Sequence, residues 1–167
     1  PSGYMSARFH GKPLADIAGK SMVRRVYEQA RKAFEDVCVA TDDQRIVKEV
    51  ESFGGVAIMT SPDHQSGTDR CYEAYTKYIL EYPDRRIDLV MNIQGDEPLI
   101  DPDQLVSLER AFDDDSEVYL GTMAKKITDE DELFSPNTPK IIFDNYGYAL
   151  YFSRSTIPYL RDLPKEE

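Results

Sequence analysis

The sequence predicts an α/β fold, with a mainly parallel sheet flanked by helices and a late β-hairpin. Three observations carry that expectation. Short apolar runs alternate with amphipathic stripes of helical period through the first two-thirds of the chain. Near the end, two apolar runs flank Asp144-Asn145-Tyr146-Gly147, a good hairpin turn. Polar segments follow several of the apolar runs, which is where open α/β sheets bind ligands.

Residues 1–19 show no hydrophobic period and read as a loop carrying Arg8, Gly11 and Lys12. Ser21 is an N-cap candidate for a helix whose stripe is Met22, Val23, Val26, Tyr27, Ala30 and Phe34. A buried strand is expected over 37–40, then a helix entered from Thr41-Asp42-Asp43, with Ile46, Val47, Val50 and Phe53 on one face. Gly54-Gly55 stops that helix and a strand follows over 56–59.

A polar loop, 61–68, leads into a helix with Tyr72, Tyr75, Tyr78, Ile79 and Tyr82 as inner-face candidates. Residues 87–93 make the best strand pattern in the chain and run into Gln94-Gly95-Asp96-Glu97-Pro98. Pro102 suits the first turn of a helix bearing Leu105, Leu108 and Phe112. A strand over 118–123, a short helix over 129–134, and hairpin strands over 141–143 and 148–152 complete the order.

The 167 residues are expected to form one domain, 1–167, large enough for a real core. A net charge of −11 argues against nucleic-acid binding, because neutralising phosphates needs a basic face. It leaves open a small phosphorylated ligand, which needs only a few local cations and backbone N–H groups. No apolar run approaches the ~18 residues of a membrane-spanning helix, so no membrane insertion is expected. Residues 1–8 lack the apolar core of a signal peptide. Cys38 and Cys71 form no CxxC pair and show no zinc spacing with His10 or His64, so a reducing cytoplasm is the expected compartment.

Asp96 carries the sharpest chemical signal. It follows an apolar run, and Gly95 permits a tight backbone path. A carboxylate there suits Mg²⁺, which takes one or two carboxylates together with phosphate oxygens and waters. The same position equally fits an acid capping the next helix. Arg8 and Lys12 are candidates for phosphate oxygens, although no Walker A pattern is present and two cations in a loop fit a solvated surface as well. His64, Gln65, Ser66 and Thr68 could read a base or sugar, or simply form a helix entry with His64 exposed.

With those residues in place, the chain resembles the 3-deoxy-D-manno-octulosonate (KDO) cytidylyltransferases, also called CMP-KDO synthetases. The resemblance rests on Gly11-Lys12-Pro13-Leu14, Val39-Ala40-Thr41-Asp42, the run Asp63-His64-Gln65-Ser66-Gly67-Thr68-Asp69-Arg70, the run Asn92-Ile93-Gln94-Gly95-Asp96-Glu97-Pro98, and Gly147-Tyr148-Ala149-Leu150-Tyr151-Phe152-Ser153-Arg154. It implies a Rossmann-like nucleotide-sugar transferase fold, a cytoplasmic and typically homodimeric enzyme, and Mg²⁺ as cofactor. The implied reaction makes CMP-KDO and pyrophosphate from CTP and KDO for lipopolysaccharide synthesis.

By the same resemblance, Arg8 and Lys12 hold the CTP phosphates and Asp96 binds Mg²⁺. Thr41, Asp42, Gln65, Ser66, Gly67 and Thr68 line the cytidine site. Arg70 supports that loop or the phosphates, and Arg154 meets the carboxylate of the sugar acid. Two departures stand out: Gly3 replaces an arginine of the family's phosphate loop, and His10 replaces a proline. The family also has a hydrophobic strand before that loop and a further C-terminal part with a second metal-binding aspartate. A chain without them would be expected to fit a second reading, a non-catalytic relative that binds a nucleotide or a partner. A third is activation of a related sugar acid.

Overall fold

The computed structural model describes residues 12–113, 117–159 and 161. By its contacts the chain divides into two compact units, Pro1–Gly121 and Thr122–Glu167.

The first unit is built on two parallel strands, β3 (Cys38–Thr41) and β4 (Val56–Met59), paired in register from Cys38 with Val56 to Thr41 with Met59. Ahead of them, residues expected as plain loop form a 3-10 turn, Lys12–Leu14, and a small hairpin, β1 (Asp16–Ile17) and β2 (Lys20–Ser21). Ala18 and Gly19 between them both have positive φ, the geometry of a two-residue hairpin turn. Arg25 holds that turn by donating to the carbonyls of Ile17 (2.6 Å) and Ala18 (2.8 Å).

Helix α1 (Met22–Ala33) starts at Ser21, whose hydroxyl accepts the Arg24 amide. Its expected stripe is the buried one, through Val23, Val26 and Ala30. Helix α2 (Gln44–Ser52) is capped by Asp43 and buries Ile46, Val47 and Val50. Val23, Ile46 and Val50 form the core cluster, against which Leu14, Val39, Phe53 and Ala57 pack. Each such buried side chain contributes roughly 1.5–3 kcal/mol relative to exposure. Gly54, at φ +77°, ends α2, and at Gly55 a Cβ would meet Phe53 and Val50 side-chain atoms at 2.8 Å.

Val39 and Ala57 face α2, so the pleat turns Cys38, Ala40 and Ile58 toward the other side of the sheet. Helix α3 (Gly67–Glu81) packs there on β3 and β4. Its buried residues are Arg70 and Ala74 rather than a tyrosine stripe, and Tyr72 is 71% exposed. Helix α4 (Pro102–Arg110) buries Leu105, packs on α1, and is capped by Asp101. Asp96 therefore does not cap it.

Two expected strands carry no ladder. Residues 87–93 keep the period-two pattern, with Ile87, Leu89, Met91 and Ile93 half-buried and Asp88, Val90 and Asn92 exposed. A cavity of about 480 Å³ is lined by Cys38, Val39 and Ala40 and by residues 86–93, and among the described residues no strand pairs with this segment. Residues 118–123 are largely exposed, Leu120 to 91%, and likewise join no ladder among the described residues.

The second unit holds helix α5 (Glu130–Phe134), capped by Asp129, and the expected hairpin. Its strands are β5 (Lys140–Phe143) and β6 (Ala149–Ser153), antiparallel, with Gly147 at φ +91° in the turn.

Candidate functional site

Three polar segments leave the carboxyl ends of the first unit's strand-like runs: 41–43 after β3, 60–68 after β4, and 94–98 after 87–93. Gly67 of the second segment and Gly95 of the third line the same cavity as the β3 residues, so those two loops meet there.

Lys12 and Asp96 lie 84 positions apart and form an ion pair, Nζ to Oδ2 at 2.5 Å. Both side chains remain substantially exposed, at 35% and 49%. The Lys12 ammonium beside Asp96 holds its carboxyl below the ordinary value, so it is ionised at neutral pH. The 3-10 turn that carries Lys12 packs on α1 and α2, and α1 also reaches across the far side of the loop, where Gln29 donates to the Ile100 carbonyl at 3.0 Å. Glu97 is exposed within the same turn.

Asp42 and Arg70 form the second pair and are differently placed. Arg70 is only 5% exposed and donates to Asp42 Oδ2 at 3.0 Å and to Thr60 Oγ1 at 2.7 Å. It thereby ties α3 to the ends of both parallel strands. Its Nε is buried without a partner. Thr41, completely buried, accepts the Asp43 amide on its hydroxyl and the Thr60 amide on its carbonyl. Asp43 caps α2 and pairs with Arg45, which lowers its pKa.

In the 61–68 loop, Ser66 caps α3: its hydroxyl accepts the Asp69 amide at 3.1 Å and donates to the Asp69 carboxylate at 2.6 Å. Gln65 donates to the Asp63 carbonyl at 3.0 Å, and Gln65 and Thr68 are exposed. His64 is not a free exposed ring. It is half-buried against Glu73, a partner nine residues away on α3.

Arg154 lies in the second unit, where one terminal nitrogen donates to the carbonyls of Pro136 and Asn137 at 3.0 and 3.2 Å. Lys140, 2% exposed, donates to the carbonyls of Ser135 and Arg154 and so fixes the backbone at that arginine. Arg8, Gly11, Gly3 and His10 fall outside the described residues. The sequence reading missed Glu73 and Lys140. Glu73 had a signal, a carboxylate two turns after a histidine-bearing helix entry; Lys140 sat inside an ordinary strand pattern.

Among the described residues no cluster of three or more His, Cys, Asp or Glu side chains is present, and Asp96, the sequence-derived candidate for a divalent cation, offers one exposed, ionised carboxylate. That donor set fits Mg²⁺, which keeps waters and shares few carboxylates with phosphate oxygens, and does not fit a closed protein cage.

A parallel α/β unit with converging strand-end loops is the layout of the doubly wound proteins that bind ligands at those ends. More narrowly, the chain belongs to the cytidylyltransferase family, whose family model, described as "Cytidylyltransferase", matches residues 1–167. It is 48% identical over 165 residues to the 3-deoxy-manno-octulosonate cytidylyltransferase of Parabacteroides distasonis, covering 96% of this chain and 63% of the relative. It is 51% identical over 163 residues to the protein of the same name from Cytophaga hutchinsonii, covering 96% and 62%.

A solved structure of CMP:2-keto-3-deoxy-manno-octonic acid synthetase complexed with CTP is 41% identical and superposes with a TM-score of 0.82, over 96% of this chain and 64% of that one. The α/β fold class read from the sequence is thus the observed one. The chain spans a little under two-thirds of the length of these relatives.

Proposed function

We propose that this chain is the nucleotide-handling part of a CTP:KDO cytidylyltransferase that makes CMP-KDO and pyrophosphate for lipopolysaccharide synthesis. The enzyme would act in the cytoplasm as a homodimer. The carrying observation is the convergence of the 60–68 and 94–98 loops on one cavity, in a chain similar over 96% of its length to relatives named for that activity. In the reaction, the anomeric oxygen of KDO forms a bond to the α-phosphorus of CTP. The bond to the pyrophosphate oxygen breaks, and the hydroxyl proton is released.

Chemistry of this kind asks the protein mainly to position reactants and offset charge. Bound Mg²⁺ would supply positive charge to the phosphate oxygens. Asp96, ionised and exposed, would hold it, and Lys12 would hold phosphate oxygens beside it. Arg8 would join Lys12. Asp42 and Thr41 would shape the cytidine site through backbone and packing, with Arg70 bracing both strand ends. Gln65, Ser66, Gly67 and Thr68 would face the nucleoside, and Arg154 would meet the carboxylate of KDO with its guanidinium fork.

The test is pyrophosphate release by the full natural protein given CTP, KDO and Mg²⁺. Release that depends on KDO is expected. Release no higher than with CTP alone would remove this reading and favour a nucleotide-binding relative without turnover; release with another sugar acid but not KDO would change the substrate.

A further inference from the structure

Glu73 sits on α3 one turn beyond Arg70, and its carboxylate gathers three donors from different places. The Ser61 amide donates at 2.9 Å, Lys77 pairs at 2.7 Å, and the His64 ring lies against the same carboxylate. Lys77 in turn donates to the Met59 carbonyl at the end of β4, at 2.7 Å. Glu73 thereby joins the start of the loop and its middle to the helix, while Lys77 beside it holds the strand end. Between these anchors the loop is held by short-range bonds. The Asp63 amide donates to Ser61 Oγ at 3.2 Å, and Gln65 donates to the Asp63 carbonyl at 3.0 Å. Ser66 closes the far end as the helix cap. Cutting Glu73 out releases Ser61 and His64 together, and leaves the loop tied to the helix only by Arg70 at Thr60 and by the Ser66 cap.

We propose that Glu73 is a positioning residue for nucleotide binding: it holds 61–66 in the conformation that presents Gln65, Ser66 and Gly67 to the base of a nucleoside triphosphate. This rests on the nucleotide reading of the site. Glu73 itself contacts no reacting atom in this account, so its loss weakens ground-state binding and leaves the chemical step nearly intact. Its carboxyl, held down to about 2 by Lys77, the Ser61 amide and His64, is ionised throughout the neutral range.

The experiment uses the full natural protein with Glu73→Ala and Glu73→Gln. Amide hydrogen exchange at Ser61 without ligand reads the lock directly, independent of any activity. Calorimetric titration with CTP, and KM for CTP against kcat, read its consequence. For Glu73→Ala, Ser61 exchange is expected to rise about tenfold and CTP affinity to fall about tenfold, the worth of one or two polar contacts, with kcat changed less than about twofold. Glu73→Gln keeps an acceptor for Ser61 and is expected to restore most of the protection and of the affinity.

Unchanged Ser61 exchange in Glu73→Ala overturns the proposal. So does lost protection with unchanged CTP affinity, or a loss confined to kcat. A wild-type protein that binds CTP yet makes no CMP-KDO refutes the catalytic reading alone, because the exchange and titration arms still decide the role of Glu73.

Discussion

The Lys12–Asp96 and Asp42–Arg70 pairs sit in the same unit and obey the same Coulomb law, yet their surroundings give them opposite uses. Arg70 is 5% exposed and wedged between the ends of two strands, so its guanidinium serves as a brace. Lys12 and Asp96 face solvent and join two loops. An exposed pair is worth about 0–1 kcal/mol to stability, because water screens it and side-chain entropy opposes it. Under the proposed function its two charges would meet an incoming phosphate and cation. Burial separates the ion pair that holds the fold from the one that can exchange partners.

The largest expected effect tests the exposed pair. Asp96→Asn keeps size and polarity and removes the charge. It is expected to lower kcat/KM for CTP by at least about 10²-fold, the scale seen when one preorganised electrostatic group is removed. Stability to urea should move by less than about 1 kcal/mol. Near-normal turnover would remove Asp96 from the proposed metal role; a large stability loss would mean the pair is a brace after all.

The buried pair should behave in reverse. Arg70→Met removes a guanidinium that bonds both strand ends and strands the carboxylate of Asp42. Breaking a buried pair costs about 3–5 kcal/mol. Two features reduce that figure here: Asp42 retains some exposure, and the unpartnered Nε of Arg70 is a donor whose burial already costs about 1–3 kcal/mol. A loss of about 2 kcal/mol in urea unfolding is expected, with Asp42→Asn milder because it keeps an acceptor. A loss near zero would mean that Arg70 braces nothing and is held for ligand.

Neither pair was legible as a pair in the sequence, for a physical reason. Local rules act over a helical turn or a hairpin: Ser21, Asp43, Ser66 and Asp101 cap helices because a short oxygen-bearing side chain meets orphan amides two or three residues on. The Val23, Val26 and Ala30 stripe and the turn at 144–147 are readable on the same scale. Lys12 with Asp96, and Asp42 with Arg70, meet only after the strands and helices have packed. The 87–93 run teaches the converse. Its alternation survives as alternating exposure, but a strand is a relation between two segments, and among the described residues no neighbour supplies the second half.

The smallest effect concerns a third carboxylate that lies between the two cases. Glu73 is partly exposed like Asp96 but gathers several partners like Arg70. Its carboxyl is lowered from 4.5 to about 2, chiefly by Lys77, then by the Ser61 amide and His64. A lowered folded-state pKa means the unfolded chain binds the proton more tightly. The stability that Glu73 contributes is therefore complete above pH 4.5 and lost as the pH falls toward 2.

Other lowered carboxyls, those of Glu28, Asp43 and Asp96, shape the same acid limb of the wild-type curve, so the wild type alone cannot isolate Glu73. The difference between wild type and Glu73→Gln can, because the common groups cancel. Urea unfolding of both proteins from pH 3 to pH 7 should show a wild-type advantage that is flat above about pH 5 and shrinks steadily below it. An advantage that stays constant into acid would mean that the contacts at Glu73 depend on shape rather than charge, and would align it with the buried brace.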